Sequence, residues 1–364
     1  MTKFKVCVYA ICKNEEKFVK RWVSSMKEAD EIYVLDTGST DNTVKLLKEE
    51  GVNVSVEVIR PWRFDVARNK SLELVPTDAD ICICTDLDEV FFKGWREKLE
   101  NSYINGYRVN YTYNWHINED GKADVTFLLN KIHPRIGYSW THPVHEVLVS
   151  NIEEKSLNIT DIVLNHYPDN SKSRGCYLEL LELSVLEDGE DDRNMHYLGR
   201  EYMYYRRWED CINVLKKHLN LKSSTWNLER AASMRYIARS YINLHNETEA
   251  EFWYKKSIEE ASSVREGYVE LGLLYNKQEK WLDSINVLIK ALCIKDKPMV
   301  YMNEVFCWDN TIDDLMSINY YNLGLKDLAI YYIDKALEYR IDDRLLNNKK
   351  IIESQIWHIK INDI

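Results

Sequence analysis

The sequence predicts an α/β domain followed by an all-α domain. Two observations carry this. Up to about Asp169, short apolar runs of strand composition alternate with segments of helical spacing, the pattern of a mainly parallel sheet covered by helices. Beyond that point glycines and β-forming runs thin out, and apolar residues recur at helical intervals to the end. The 364 residues suffice for two or three domains with sizeable cores. The expected division is residues 1–170 and 171–364.

The elements follow in order. Residues 4–11, FKVCVYAI, read as the first strand. From Asn14 to Met26, apolar residues at Phe18, Trp22, Val23 and Met26 mark a helix. Ile32 to Leu35 is a second strand, running into a polar turn. Thr40, Asp41 and Asn42 cap a helix from Thr43 to Glu50, closed by Gly51. A third strand is expected over Val52–Ile59, a helix over Val66–Val75 and a strand over Ile81–Cys84. From Gly106 to Val149 the chain is rich in β-formers and aromatics.

Composition excludes several classes. The net charge of −11 is spread over both halves and no basic stripe stands out, so a nucleic-acid partner is not expected. No apolar run approaches the roughly 20 residues of a membrane span, and the N-terminus lacks a signal-peptide core. The eight cysteines form no C-x-x-C pair. They read as small buried hydrophobes in a reducing compartment, which sets the expected location as cytoplasmic.

One stretch organises the first domain. Ile81 to Cys84 delivers two carboxylates, Asp86 and Asp88, at a strand end. Hard cations such as Mg²⁺ and Mn²⁺ bind through one or two carboxylates together with substrate phosphates. A solvated turn is the competing reading of Asp-x-Asp taken alone. Asp36 also ends a strand, and in parallel sheets ligands bind outside the strands' carboxyl ends, so the three carboxylates are expected to share one crevice.

Four pieces in order, ICKNEE, VLDTGSTDNT, RFDVARNKSLE and TDLDEV, resemble a family-2 glycosyltransferase of the GT-A (nucleotide-diphospho-sugar transferase) fold. The resemblance runs from about Val6 to His166. It implies that Asp36 reads the nucleotide base, and that Asp86 and Asp88 hold Mn²⁺ or Mg²⁺ and the sugar diphosphate. It implies that Arg68 approaches the phosphates or the donor sugar, with Arg63 and Asn69 beside it, and that Asp65 positions Arg68 or touches the sugar. An ion pair of Arg68 with Asp65, three residues earlier, is the alternative. Sugar nucleotidyltransferases share the fold but open on a glycine-rich loop, whereas no glycine precedes Gly38 here.

Five of the nine histidines lie between His116 and His166, a concentration that suggests a site. KIHPRIGYSWTHPVHE resembles the acceptor side of the same family. An inverting enzyme needs a base for the acceptor, and Glu146 is the first choice, followed by His145. A second-shell or core position is the alternative for His145. The resemblance gives His166 a metal or phosphate contact, with a plain loop histidine as the alternative.

In the second half four segments repeat one pattern: a small residue, Tyr three residues on, a small residue nine further and an apolar one four after that. They are Gly199–Tyr202–Cys211–Leu215, Ala238–Tyr241–Ala250–Tyr254, Gly272–Tyr275–Ser284–Leu288 and Ser317–Tyr320–Ala329–Ile333. This is a tetratricopeptide-like helix–turn–helix repeat, with the tyrosines expected in the core. A family-2 module followed by such repeats is similar to bacterial peptide S-glycosyltransferases. That resemblance implies a nucleotide-sugar donor, expected to be a UDP-sugar, and a peptide or protein acceptor. It implies a homodimer through the repeats as one assembly. Transfer to a surface glycan, a lipid-linked sugar or a modified DNA base, and a catalytically dead scaffold, are the other readings.

Overall fold

In the computed structural model residues 4–169 and 175–354 are described. The expected domain boundary at 170/171 lies outside them. The chain divides into two compact units: residues up to Gly189 with Met299–Tyr301, and Glu190–Pro298 with the residues from Met302 on.

The first unit is built on an eight-stranded sheet. Its strands are β1 (Val6–Cys12), β2 (Glu31–Asp36), β3 (Asn53–Val56), β4 (Ile81–Cys84), β5 (Glu89–Phe91), β6 (Arg108–Ile117), β7 (Ala123–Pro134) and β10 (Ser156–His166), in the order β3-β2-β1-β4-β7-β6-β10-β5. β8 (Tyr138–Thr141) and β9 (Val147–Ser150) form a separate hairpin. The helices are α1 (Val19–Met26), α2 (Thr43–Glu49), α3 (Phe64–Glu73), α4 (Trp95–Ser102) and α5 (Tyr177–Glu187). β1 pairs in parallel with β2 and β4, and β2 with β3. In the other half β10 is parallel to β6 and β5 antiparallel to β10. β7 runs antiparallel to both β4 and β6, so the sheet is mixed.

Two element bounds shift for identifiable reasons. α1 begins five residues later than expected, because Asn14 adopts a positive φ of 55° and braces the next loop. Its backbone N–H donates to Ser39 Oγ at 2.8 Å, and its Oδ1 accepts from the Thr40 N–H at 2.8 Å. Glu15 and Glu16 add bonds to Thr43 and Asn42, so ICKNEE and TGSTDN form one knitted pair of loops. β3 stops at Val56, not Ile59, since its partner β2 ends at Asp36, the residue opposite. The core pairs the buried strands with Trp22, Met26, Trp95 and Leu99 from α1 and α4. Burying each large side chain stabilises by about 1.5–3 kcal/mol.

The second unit is helical: α6 (Asp192–Tyr204), α7 (Trp208–Asn220), α8 (Asn227–Asn243), α9 (Glu247–Glu260), α10 (Glu266–Lys277), α11 (Trp281–Cys293), α12 (Thr311–Asn322), α13 (Lys326–Tyr339) and α14 (Asp343–Ser354). Each of the four sequence repeats falls on one helix pair, from α6–α7 to α12–α13. The small residues are there because the helices touch. A Cβ on Gly199 would lie 2.2 Å from Leu215 Cδ2, and one on Gly272 would lie 2.8 Å from Leu288 Cδ2. Ser284 and Ser317 return their hydroxyls to the carbonyls of Gly272 and Ala329. Tyr202 and Tyr275 are buried as expected, while Tyr241 and Tyr320 are half-buried. Six cysteines are buried. Cys176 and Cys293 are exposed, against the expectation for all eight. Among the described residues no helix is long and apolar enough to cross a membrane.

Candidate active site

β2 and β4 flank β1 in parallel, so their carboxyl ends, with Asp36, Asp86 and Asp88, open on one edge of the sheet. At that edge Arg68 of α3 is the link. It is nearly fully buried. Its Nη2 donates to Asp86 Oδ1 at 2.7 Å and its Nε to Glu146 Oε1 at 2.9 Å. Its guanidinium also lies 5.5 Å from the Trp140 ring centroid. Three segments far apart in sequence thus meet on one cation. The alternative partner, Asp65, does not compete. It is held by Arg63, whose Nε and Nη2 reach its two oxygens at 3.0 and 2.8 Å, while Arg63 also pairs with Glu187.

Lys131 of β7 completes this group, with Nζ 3.8 Å from Asp86 Oδ2. Burial works to raise the Asp86 carboxyl, but Arg68 and Lys131 outweigh it and hold it well below the usual carboxylate range. Burial works to lower the Lys131 ammonium, and Asp86 and Glu89 outweigh it, so it stays charged. Glu89 is fully buried, and its Oε2 accepts the backbone N–H of Asp86 at 2.9 Å. Burial raises its carboxyl.

The two carboxylates of Asp-x-Asp therefore face different partners. Asp86 turns to Arg68 and Lys131, whereas Asp88 turns to His166, with Oδ2 and Nε2 3.4 Å apart. Trp115 and Tyr113 stack on the His166 ring, and its buried Nδ1 has no hydrogen-bond partner. Burial works to lower the His166 imidazole, and the bond to Asp88 overrides it and raises it. The pair draws positive charge to this point. A carboxylate and an imidazole are both groups that can ligate one divalent cation.

The remaining expected residues are placed as follows. Asp36 is fully buried, and its Oδ1 accepts from the N–H groups of Gly38 and Ser39 at 3.0 and 2.9 Å. Its Oδ2 accepts from the Ser39 hydroxyl and from Cys12 Sγ. The carboxylate thus folds its own loop. Asn69 is committed to backbone: its amide donates to the Trp140 carbonyl and accepts the Trp140 N–H, both at 2.8 Å. It positions β8. His145 stands at a positive φ of 49° beside the ring of Tyr177, one residue before Glu146.

The histidine concentration does not form one site. His133 is buried between Tyr9 and Pro134, and His116 pairs with Asp124. Lys131 and Glu89 were not anticipated. Glu89 follows the Asp-x-Asp directly, so an acidic run was the available signal. Lys131 had none, since it depends on β7 lying against β4.

The family model described as Glycosyl transferase family 2 matches residues 7–147. Among curated relatives, the SPbeta prophage-derived glycosyltransferase SunS of Bacillus subtilis (strain 168) is 25% identical over 230 residues, covering 57% of this chain and 51% of SunS. The lipopolysaccharide core biosynthesis glycosyltransferase LpsC of Rhizobium meliloti is 31% identical over 100 residues, 27% of this chain and 36% of LpsC. The chain thus spans about half the length of SunS and less of LpsC. Among solved structures, MamA is 20% identical with a TM-score of 0.37, covering 44% of this chain and 85% of MamA.

Proposed function

We propose that this chain moves a sugar from a nucleoside-diphosphate sugar, a UDP-sugar in the first instance, to a peptide or protein acceptor with inversion, a reading supported by the match of residues 7–147 to the Glycosyl transferase family 2 model. The observation that carries this reading is the junction of Asp86, Arg68 and Glu146, one cation shared by a donor-side and an acceptor-side carboxylate. Asp88 and His166 would hold a divalent cation, which when bound neutralises the leaving diphosphate.

The residues then divide the work. Arg68 and Lys131 face the diphosphate side and balance its developing charge. As Arg68 turns towards phosphate, its bond to Glu146 loosens and the Glu146 carboxylate becomes available to accept the acceptor's proton. His145 orients that turn. Asp36 fixes the loop of Gly38 and Ser39 and, in this reading, presents its oxygens to the base when the donor enters. Arg63 and Asp65 brace the start of α3, which delivers Arg68.

The match to SunS covers 57% of the chain, more than the sheet-containing unit holds, so the likeness reaches into the helical unit. A pocket of about 350 Å³ on the helical unit, lined by Tyr204, Trp208, Arg206 and Arg239 among others, suits an aromatic or acidic side chain of such a peptide.

A panel of nucleotide sugars tested for thermal stabilisation and for Mn²⁺-dependent hydrolysis checks the reading. One donor is expected to give both signals. No response to any donor, with or without Mn²⁺, would leave the scaffold reading in its place.

A further inference from the structure

The helical unit contains a second cluster of metal-ligating groups. Asp192 stands in the first turn of α6, His218 in the last turn of α7 and Glu229 in the first turn of α8. One donor atom from each lies within 4.8 Å of the other two, and His218 and Glu229 are buried while Asp192 is half-buried. Three consecutive helices thus bring one imidazole and two carboxylates to one point.

The spacing suits a tetrahedral ion. Zinc–nitrogen and zinc–oxygen bonds of about 2.0–2.2 Å set ligand atoms roughly 3.4 Å apart. His218 Nε2 and Glu229 Oε1 are 3.5 Å apart, already such an edge. The outer groups also match. Ser233 Oγ lies 3.1 Å from His218 Nδ1 and 2.7 Å from His196 Nδ1. With His218 Nδ1–H donating to Ser233, and Ser233 donating to His196, the His218 Nε2 lone pair faces Glu229. Metal-bound histidines are oriented by such a bond on the other nitrogen. Ser224 Oγ, 3.1 Å from Nε2, is the group an ion would displace or recruit.

Two further buried polar side chains lie on α6, the helix of Asp192. Asn194, in the same first turn as Asp192, buries both amide heavy atoms without a hydrogen-bond partner. The fully buried His196 leaves Nε2 unpartnered, with its ring 5.6 Å from that of His218.

We propose that Asp192, His218 and Glu229 bind one divalent transition cation of the zinc class, which ties the first helical repeat to the second. Imidazole among the donors selects against Mg²⁺ and Ca²⁺. The ion's place is structural, in a unit whose neighbouring helices otherwise meet through small residues.

The test is zinc content and thermal stability of the full chain in a D88N background, which removes the carboxylate of the other candidate site. After zinc loading and desalting, elemental analysis should find one equivalent. At a hundredfold excess over Kd, Zn²⁺ should raise Tm by roughly 5–10 °C, and Mg²⁺ should not. H218Q should abolish both effects. Since His218 is fully buried, D192N, at a half-buried position, serves as the second variant; it should fold and bind zinc at least ~10-fold more weakly. Equal zinc retention by D192N and its parent, or no retention by the parent, would overturn the proposal.

Discussion

Each unit buries an ion cluster of the same chemistry, and the two differ in who else has access. In the sheet unit Arg68 lies between Asp86 and Glu146, with side chains 4%, 37% and 11% exposed. In the helical unit Glu270 lies between Arg235 and Arg239, and it and Arg235 are each 3% exposed. Glu304 closes that second group, 2.7 Å from Arg239. The helical cluster is satisfied from within: its central pair, Arg235 and Glu270, is sealed, and Arg239 and Glu304 at its margin are each 24% exposed. The sheet cluster has one wall, Asp86, turned to solvent, so a ligand can compete for its cations. A buried ion pair is weak evidence of function by itself; exposure of one partner at a strand end is the informative part.

The comparison is sharpest when one carboxylate is neutralised in each unit. E270Q removes the charge partner of the buried Arg235 and should cost about 3–5 kcal/mol in urea unfolding, with turnover per folded molecule unchanged. D88N should leave the unfolding curve nearly in place and lower sugar-nucleotide turnover by about 10²–10³-fold. If D88N destabilised as much as E270Q and kept its turnover, both clusters would be braces. The next effect is steric. G199A should cost about 1–3 kcal/mol, because its Cβ meets Leu215 at 2.2 Å, and G272A should cost less, at 2.8 Å from Leu288. Equal losses would mean that the distance to the facing leucine does not set the cost, since helix propensity alone would favour both alanines.

Much of this was legible in the sequence, for reasons the structure makes plain. Strand ends and small-residue anchors are local signals: Asp86 follows an apolar run, and Gly199 stands a fixed distance from Leu215. The four repeats were therefore placed on their helix pairs without error. Partners were not legible, because they depend on pairings remote in sequence. Arg68 had Asp65 three residues away as an evident mate, yet its bonds go to Asp86 and Glu146. Lys131 reaches Asp86 because β7 runs antiparallel beside β4. Asn69 reads as a polar contact but clamps the Trp140 backbone, since β8 lies over α3. The histidines between 116 and 166 were counted together, while strand geometry sends His133 inward and His166 to the edge.

Acid gives the smallest contrast per step. In the sheet unit the Trp140 indole N–H donates to Tyr9, and the Tyr9 hydroxyl donates to His133 Nε2. His133 Nδ1–H donates to the Pro134 carbonyl, so the ring is neutral with both nitrogens bonded. Burial drives His133 down to about 3 from its usual 6.5. The unfolded chain therefore takes up this proton first. The contribution is complete above pH 6.5 and shrinks as pH falls towards 3, by up to about 1.4 kcal/mol per pH unit. His196 in the helical unit is likewise driven by burial to about 3, so both units should weaken over one window. H133Q separates them. Hydrogen exchange followed from pH 7 to pH 4 should show a flattened acid limb for β1, β4 and β7 and an unchanged one for α6 to α8. An unaltered limb in the strands would mean that the carboxylates around Arg68, and not His133, set the acid limit of the sheet unit.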